Sequence, residues 1–190
     1  MPFMRMRPIM NRMRKMWKFV VFSAFVTSWL GCTPALNWRD VRFDDGIVNV
    51  LMPCKPDTGQ RDVTLKSGPR DVVASLQMRG CEASDMQFTL GQMTLPADIT
   101  PAEAMAAWRL ASLAPLGAAA AEVPEQTWTL RGADALPIPV QTVVKTESHH
   151  VQWVWFVRDG KVYQAAVYGK PQASKLGAVA DEYFSGIKLP

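Results

Sequence analysis

The stretch "HHVQWVWFVRDGKVYQAAVYG", His149 to Gly169, constrains the fold of this chain more than any other. Two runs rich in β-branched and aromatic residues meet at Asp159-Gly160, a pair that tolerates positive φ and so favours a two-residue type I′ hairpin. An antiparallel sheet is therefore built in, and the remaining chain must extend it or cover it. Just upstream, "LPIPVQTVVKTE" (136–147) predicts a further strand with prolines at an edge. Near the start, "NWRDVRF" (37–43) and "GIVNVLMPC" (46–54) flank Asp44-Asp45-Gly46 and predict a second hairpin. "RDVTLK" (61–66) follows, and then Val72, Ala74, Leu76 and Met78 alternate with polar neighbours, as do Met86, Phe88 and Leu90. That period of two marks strands with one apolar and one polar face.

Two segments break the alternation. Thr100-Pro101-Ala102-Glu103 is a capping box with proline at the first helical position, and Ala102, Ala106, Leu110 and Leu113 keep helical spacing until Pro115. Residues 115–127 read as a flexible connection. A second helix is expected over 171–184, stopped by Gly186. Strands in runs with helices set among them predict an α+β fold, with an antiparallel sheet of about six to eight strands flanked by two helices, rather than a βαβ fold.

Charge is unevenly placed. Of 21 lysines and arginines, six lie at Arg5, Arg7, Arg12, Arg14, Lys15 and Lys18, which leaves 15 against 17 acidic residues beyond the leader, a net of −2. A mildly acidic domain gives no electrostatic reason to expect nucleic acid as a partner. The cationic stretch, the apolar run Phe19 to Leu30 and then Gly31 follow the order of a secretory signal over residues 1–31. Twelve helical residues rise only about 18 Å, short of a hydrocarbon core of roughly 30 Å, which disfavours a permanent transmembrane helix.

The junction "WLGC" resembles the lipobox of bacterial lipoproteins, in which a small residue precedes a cysteine that is acylated and becomes the new N-terminus. Gly31 and Cys32 match the motif, while Trp29 and Leu30 depart from its usual residues. The resemblance implies acylation of Cys32, a lipid-anchored mature domain over 32–190, and, with Thr33 rather than Asp next, the periplasmic face of the outer membrane. An inner-membrane anchor and ordinary secretion into the periplasm are the alternatives. Three cysteines leave one unpaired in an exported chain. If Cys32 carries lipid, Cys54 and Cys81 form a disulfide, which would bring "IVNVLMPC" beside "VVASLQMRGC" in one sheet; two buried thiols are the alternative reading.

The succession "DGIVNVLMPCKP", a capped alanine-rich helix, "DGKVYQAAVYG" and "EYFSGIKL" resembles the PsbP/Mog-like superfamily, which implies an antiparallel sheet between helices. The segments "LNWRDVR", "VLMPCKPD" and "MRGC" are similar to a pattern shared by uncharacterised proteobacterial lipoproteins, a likeness that implies no activity.

Candidate sites are few. His149 and His150 are neighbours on a strand and point to opposite faces, so they read as a solvated strand start and not as a metal pair. Trp153 and Trp155 share a face and, with Trp108, form a candidate binding surface or the lining of an apolar pocket; core packing is the alternative. Asp44, Asp45 and Asp57 read as turn residues. No nucleophile elbow, P-loop, zinc-protease or dinucleotide motif occurs, so no enzyme, metal or cofactor is expected. Two functions lead, a non-catalytic binding or assembly module facing envelope proteins and a carrier of an apolar or lipid ligand, with a hydrolase ranked below both. An exposed apolar patch favours the first, and a cavity of roughly 300 Å³ or more lined by the tryptophans favours the second.

Overall fold

The computed structural model describes residues 35–43, 46–117 and 123–190. Strands β1 (Arg39–Phe43) and β2 (Val48–Met52) pair antiparallel as a separate two-stranded sheet. A meander follows, β3 (Asp57–Ser67), β4 (Arg70–Ala83) and β5 (Met86–Thr94), then helix α1 (Pro101–Leu113) with a short 3-10 turn, Ala114–Leu116. The second half contributes β6 (Glu125–Thr127), β7 (Val140–Lys145), β8 (His150–Arg158), β9 (Lys161–Gly169) and helix α2 (Leu176–Ser185). The large sheet has seven antiparallel strands in the order β3-β4-β5-β9-β8-β7-β6, so the expected α+β architecture is present.

Alternation along each strand decides what covers each face. Phe88, Leu90, Val154, Phe156, Tyr163 and Ala165 point to the side that receives β1, β2 and α2, where they pack with Phe43, Val50, Met52, Tyr183 and Phe184. Met93, Val157 and Val162 point the other way, under Ala104, Ala107 and Trp108 of α1. Tyr183 is fully buried, and its hydroxyl donates to the Thr89 carbonyl oxygen at 2.9 Å, which joins α2 to the centre of the sheet.

Local signals explain the turns and ends. Asp159 and Gly160 adopt φ of 50° and 71°, the left-handed pair that the hairpin requires. The capping box of α1 is complete: Thr100 Oγ1 accepts from the Glu103 amide at 3.3 Å, and Glu103 Oε2 accepts from the Thr100 amide at 2.9 Å. The Thr100 amide, and after it the Thr100 hydroxyl, donate to that carboxylate and hold the Glu103 carboxyl below its ordinary range. Gly186 follows α2 because a Cβ there would lie 2.8 Å from Leu51 Cβ; the requirement is close approach of β2.

Several expectations need correction. Cys54 and Cys81 are bonded, with Cα atoms 5.9 Å apart, but β2 and β4 do not share a sheet. The bond instead ties the β1–β2 layer to the large sheet, because the apolar side of β2 is buried against that sheet's face rather than along its edge. Asp57 is not a turn residue: it opens β3 opposite Gly80, beside the disulfide. The predicted strand over 136–147 is confined to Val140–Lys145, since Pro137 and Pro139 cannot donate to a ladder. A three-residue strand, β6, lies within the segment read as a connection. The second helix starts at Leu176, later than expected. Asp44 and Asp45 lie outside the described residues.

Candidate functional site

Trp153 and Trp155 share a face of β8 as the alternation predicts, stacked with centroids 5.6 Å apart, yet neither has exposed area. They pack with Leu113 and Ala166, and Trp153 Nε1 donates to the Tyr168 hydroxyl at 3.2 Å. Trp108, 7% exposed, lies over Gly91, where a Cβ would fall 3.0 Å from its ring. Of the two readings of these tryptophans, core packing is the one that holds and the candidate binding surface is not formed: α1 covers these rings, and Gly91 provides the seat for one of them. Among the described residues, clefts of about 490, 480, 410 and 390 Å³ occur, and none is lined by these three tryptophans.

The histidines do face opposite ways. His149 is exposed, with Nδ1 2.8 Å from Ser148 Oγ. His150 is buried, contrary to a solvated strand start, because β8 pairs it with Gly169 on one side and Lys145 on the other, well inside the sheet. Burial, and then the nearby Lys145 charge, lower its pKa from the ordinary 6.5. A neutral, buried imidazole stabilises the fold fully above pH 6.5, and that contribution is lost as pH falls through the lower folded value. Melting followed from pH 8 to pH 5 is expected to show the wild type losing stability relative to His150→Gln. Parallel curves for the two proteins would contradict it. No group of three or more His, Cys, Asp or Glu side chains suited to a metal occurs among the described residues.

With Cys54 and Cys81 joined, Cys32 is the one cysteine left of three. It lies outside the described residues, as does the leader. Among the described residues no helix is long and apolar enough to cross a membrane.

The exposed large apolar side chains include Leu136 at 78%, Ile138 at 52% and Val143 at 37%. All three belong to the β6–β7 margin. The segment that carries Leu136 is held down at its start: Asp134 accepts from the Asp159 and Gly160 amides at 3.3 and 3.2 Å, and Arg158 Nη1 donates to the Gly132 carbonyl at 2.7 Å. At its other end the Trp128 amide donates to Pro139. The strap thus presents Leu136 and Ile138 on a fixed base. Beside it, Trp128, Arg131, Gln141, Asp181 and Lys188 line the cleft of about 490 Å³. The strap was not foreseen as a site, because its prolines interrupt both helical and strand periods; the Leu-Pro-Ile-Pro alternation was its one signal in the sequence.

No protein-family model, curated protein or solved structure matches the chain.

Proposed function

We propose that this chain is a lipid-anchored envelope protein, acylated at Cys32 and held at the periplasmic face of the outer membrane, where it acts without catalysis as a binding or assembly module. The observation that carries the docking reading is the exposure of Leu136 and Ile138 on the clamped strap. Exposed apolar side chains on a restrained segment lose little conformational freedom when a partner covers them. Their place also suits the role. Asp134, two residues before Leu136, is bonded at the β8–β9 turn, whereas the chain enters the domain at the β4–β5 turn, where Ser84 Oγ donates to the Ala35 carbonyl at 3.3 Å. Strand register puts those turns at opposite ends of the sheet, so the strap and Ala35, the first described residue, lie at opposite ends of the domain. Carriage of an apolar ligand needs open space beside Trp108, Trp153 and Trp155, and those rings pack against protein instead. The resemblance to PsbP/Mog-like domains supports an accessory role in a larger membrane complex.

The test is capture of tagged protein from its native membrane, with wild type and Leu136→Asp/Ile138→Asp compared side by side. Placing two carboxylates at the centre of an apolar interface is expected to reduce partner recovery about tenfold or more. Equal recovery from two equally stable proteins would remove the strap from the interface. Recovery of a stoichiometric apolar ligand in place of a partner would favour carriage.

A further inference from the structure

The chain enters the domain beside a second cleft. Ala35 accepts from Ser84 in the β4–β5 turn, and only two residues lie between Ala35 and Cys32 in the sequence, a reach of at most about 10 Å. The cleft at this end encloses about 390 Å³ and is lined by Ser84, Asp85 and Met86 on one side and by Lys170, Ser174 and Lys175 on the other, among others. Met86 and Leu176 are buried and form its apolar floor. Lys170, Lys175 and Asp85 are exposed and make no ion pair among the described residues, although the cleft brings both signs of charge to one place.

The geometry points to a site for the headgroup of one zwitterionic phospholipid, with Lys170 and Lys175 on the phosphate and Asp85 on the headgroup ammonium. Ammonium side chains are strongly hydrated point charges that bind phosphate without a fixed angular demand, so two lysines on one rim suit it. Asp85 selects among phosphates. Its carboxylate repels a bare inorganic anion or a purely anionic headgroup and attracts one that carries its own ammonium. The seryl hydroxyls of Ser84 and Ser174 add neutral hydrogen-bonding capacity to the same rim. The role of the bilayer as the source of this ligand rests on the lipid anchor proposed above; the cleft's chemistry does not. With the tether a few residues away, the anchor would raise the local headgroup concentration and make a weak site effective. Occupation of the cleft would then fix the β4–β5 end toward the membrane and leave the strap outward.

Native mass spectrometry of the full protein extracted in detergent tests this directly, with phosphatidylethanolamine, phosphatidylglycerol and inorganic phosphate titrated separately. The wild type is expected to take one phosphatidylethanolamine more tightly than phosphatidylglycerol. Lys170→Gln/Lys175→Gln should weaken that adduct about tenfold, the usual effect of losing charge-assisted hydrogen bonds. Asp85→Asn should erase the preference between the two lipids. All three positions are exposed, and melting of each variant checks that the fold is retained. Phosphatidylethanolamine binding unaffected by the lysine changes, phosphatidylglycerol bound as tightly as phosphatidylethanolamine, or inorganic phosphate bound as well as either would overturn the assignment. The same spectra report the acyl mass on Cys32, so loss of the anchor reading and loss of the headgroup reading are distinguishable.

Discussion

Cys54→Ala/Cys81→Ala is expected to lower the stability of the domain by about 3–4 kcal/mol, the loop-closure value for a cross-link of this span. For a domain of this size that corresponds to a fall in melting temperature on the order of 10 °C. The cross-link closes a sequence separation of 27 residues and restricts the unfolded chain. It also binds the β1–β2 layer to the large sheet, and Phe43, Val48, Val50 and Met52 of that layer are all buried on the shared face. Without the bond, amides of β1 and β2 should exchange before those of β8 and β9, because the small layer then opens as its own unit. Comparison of melting curves with and without reductant, together with non-reducing peptide mapping, gives the result. Bonded cysteines with unchanged melting would show that the cross-link contributes little to stability, and free thiols in periplasmic protein would break the pairing.

Period and turn chemistry made most of the sheet legible. Asp159-Gly160 announced the central hairpin because a type I′ turn, which matches the twist of the flanking strands, needs two residues that tolerate positive φ, and both have it. Thr100 and Glu103 announced the start of α1 for an equally local reason. What alternation does not reveal is which sheet a strand joins. The apolar residues of β2 would read the same in either, and only the tertiary partner of Met52 and Val50 decides that the strand forms a second layer. Cysteine parity likewise paired Cys54 with Cys81, but a bond between strand ends does not require a shared sheet, and the expected one-sheet relation failed for that reason.

The site was less legible than the fold. An aromatic pair on one strand face has the same spacing whether it meets solvent or a helix, so Trp153 and Trp155 left surface and core both open, and α1 makes them core. His150 was misread because a strand's first residue is usually at the rim, whereas here it sits between two strands. The strap from Trp128 to Pro139 was missed because it follows no period, and its fixed position depends on Asp134 reaching amides 25 and 26 residues away.

Cys32→Ser carries the largest expected effect of any single substitution, a shift of the protein from almost entirely membrane-bound to released or retained as an uncleaved precursor. The domain's fold is expected to be unchanged, since among the described residues the buried core begins at Phe43. A diacylated cysteine supplies two chains, and stable anchoring needs two such signals; without them no described helix is long and apolar enough to replace the anchor. Salt extraction should not release the wild type, because attachment through acyl chains is insensitive to ionic strength.

The intact mass of the protein extracted from its native membrane tests the lipid-anchored reading most directly. The expected result is a mature chain that begins at Cys32, with the mass of a diacylglyceryl or triacyl modification and with Cys54 and Cys81 oxidised. A mature N-terminus at any other residue, with Cys32 unmodified, would contradict it.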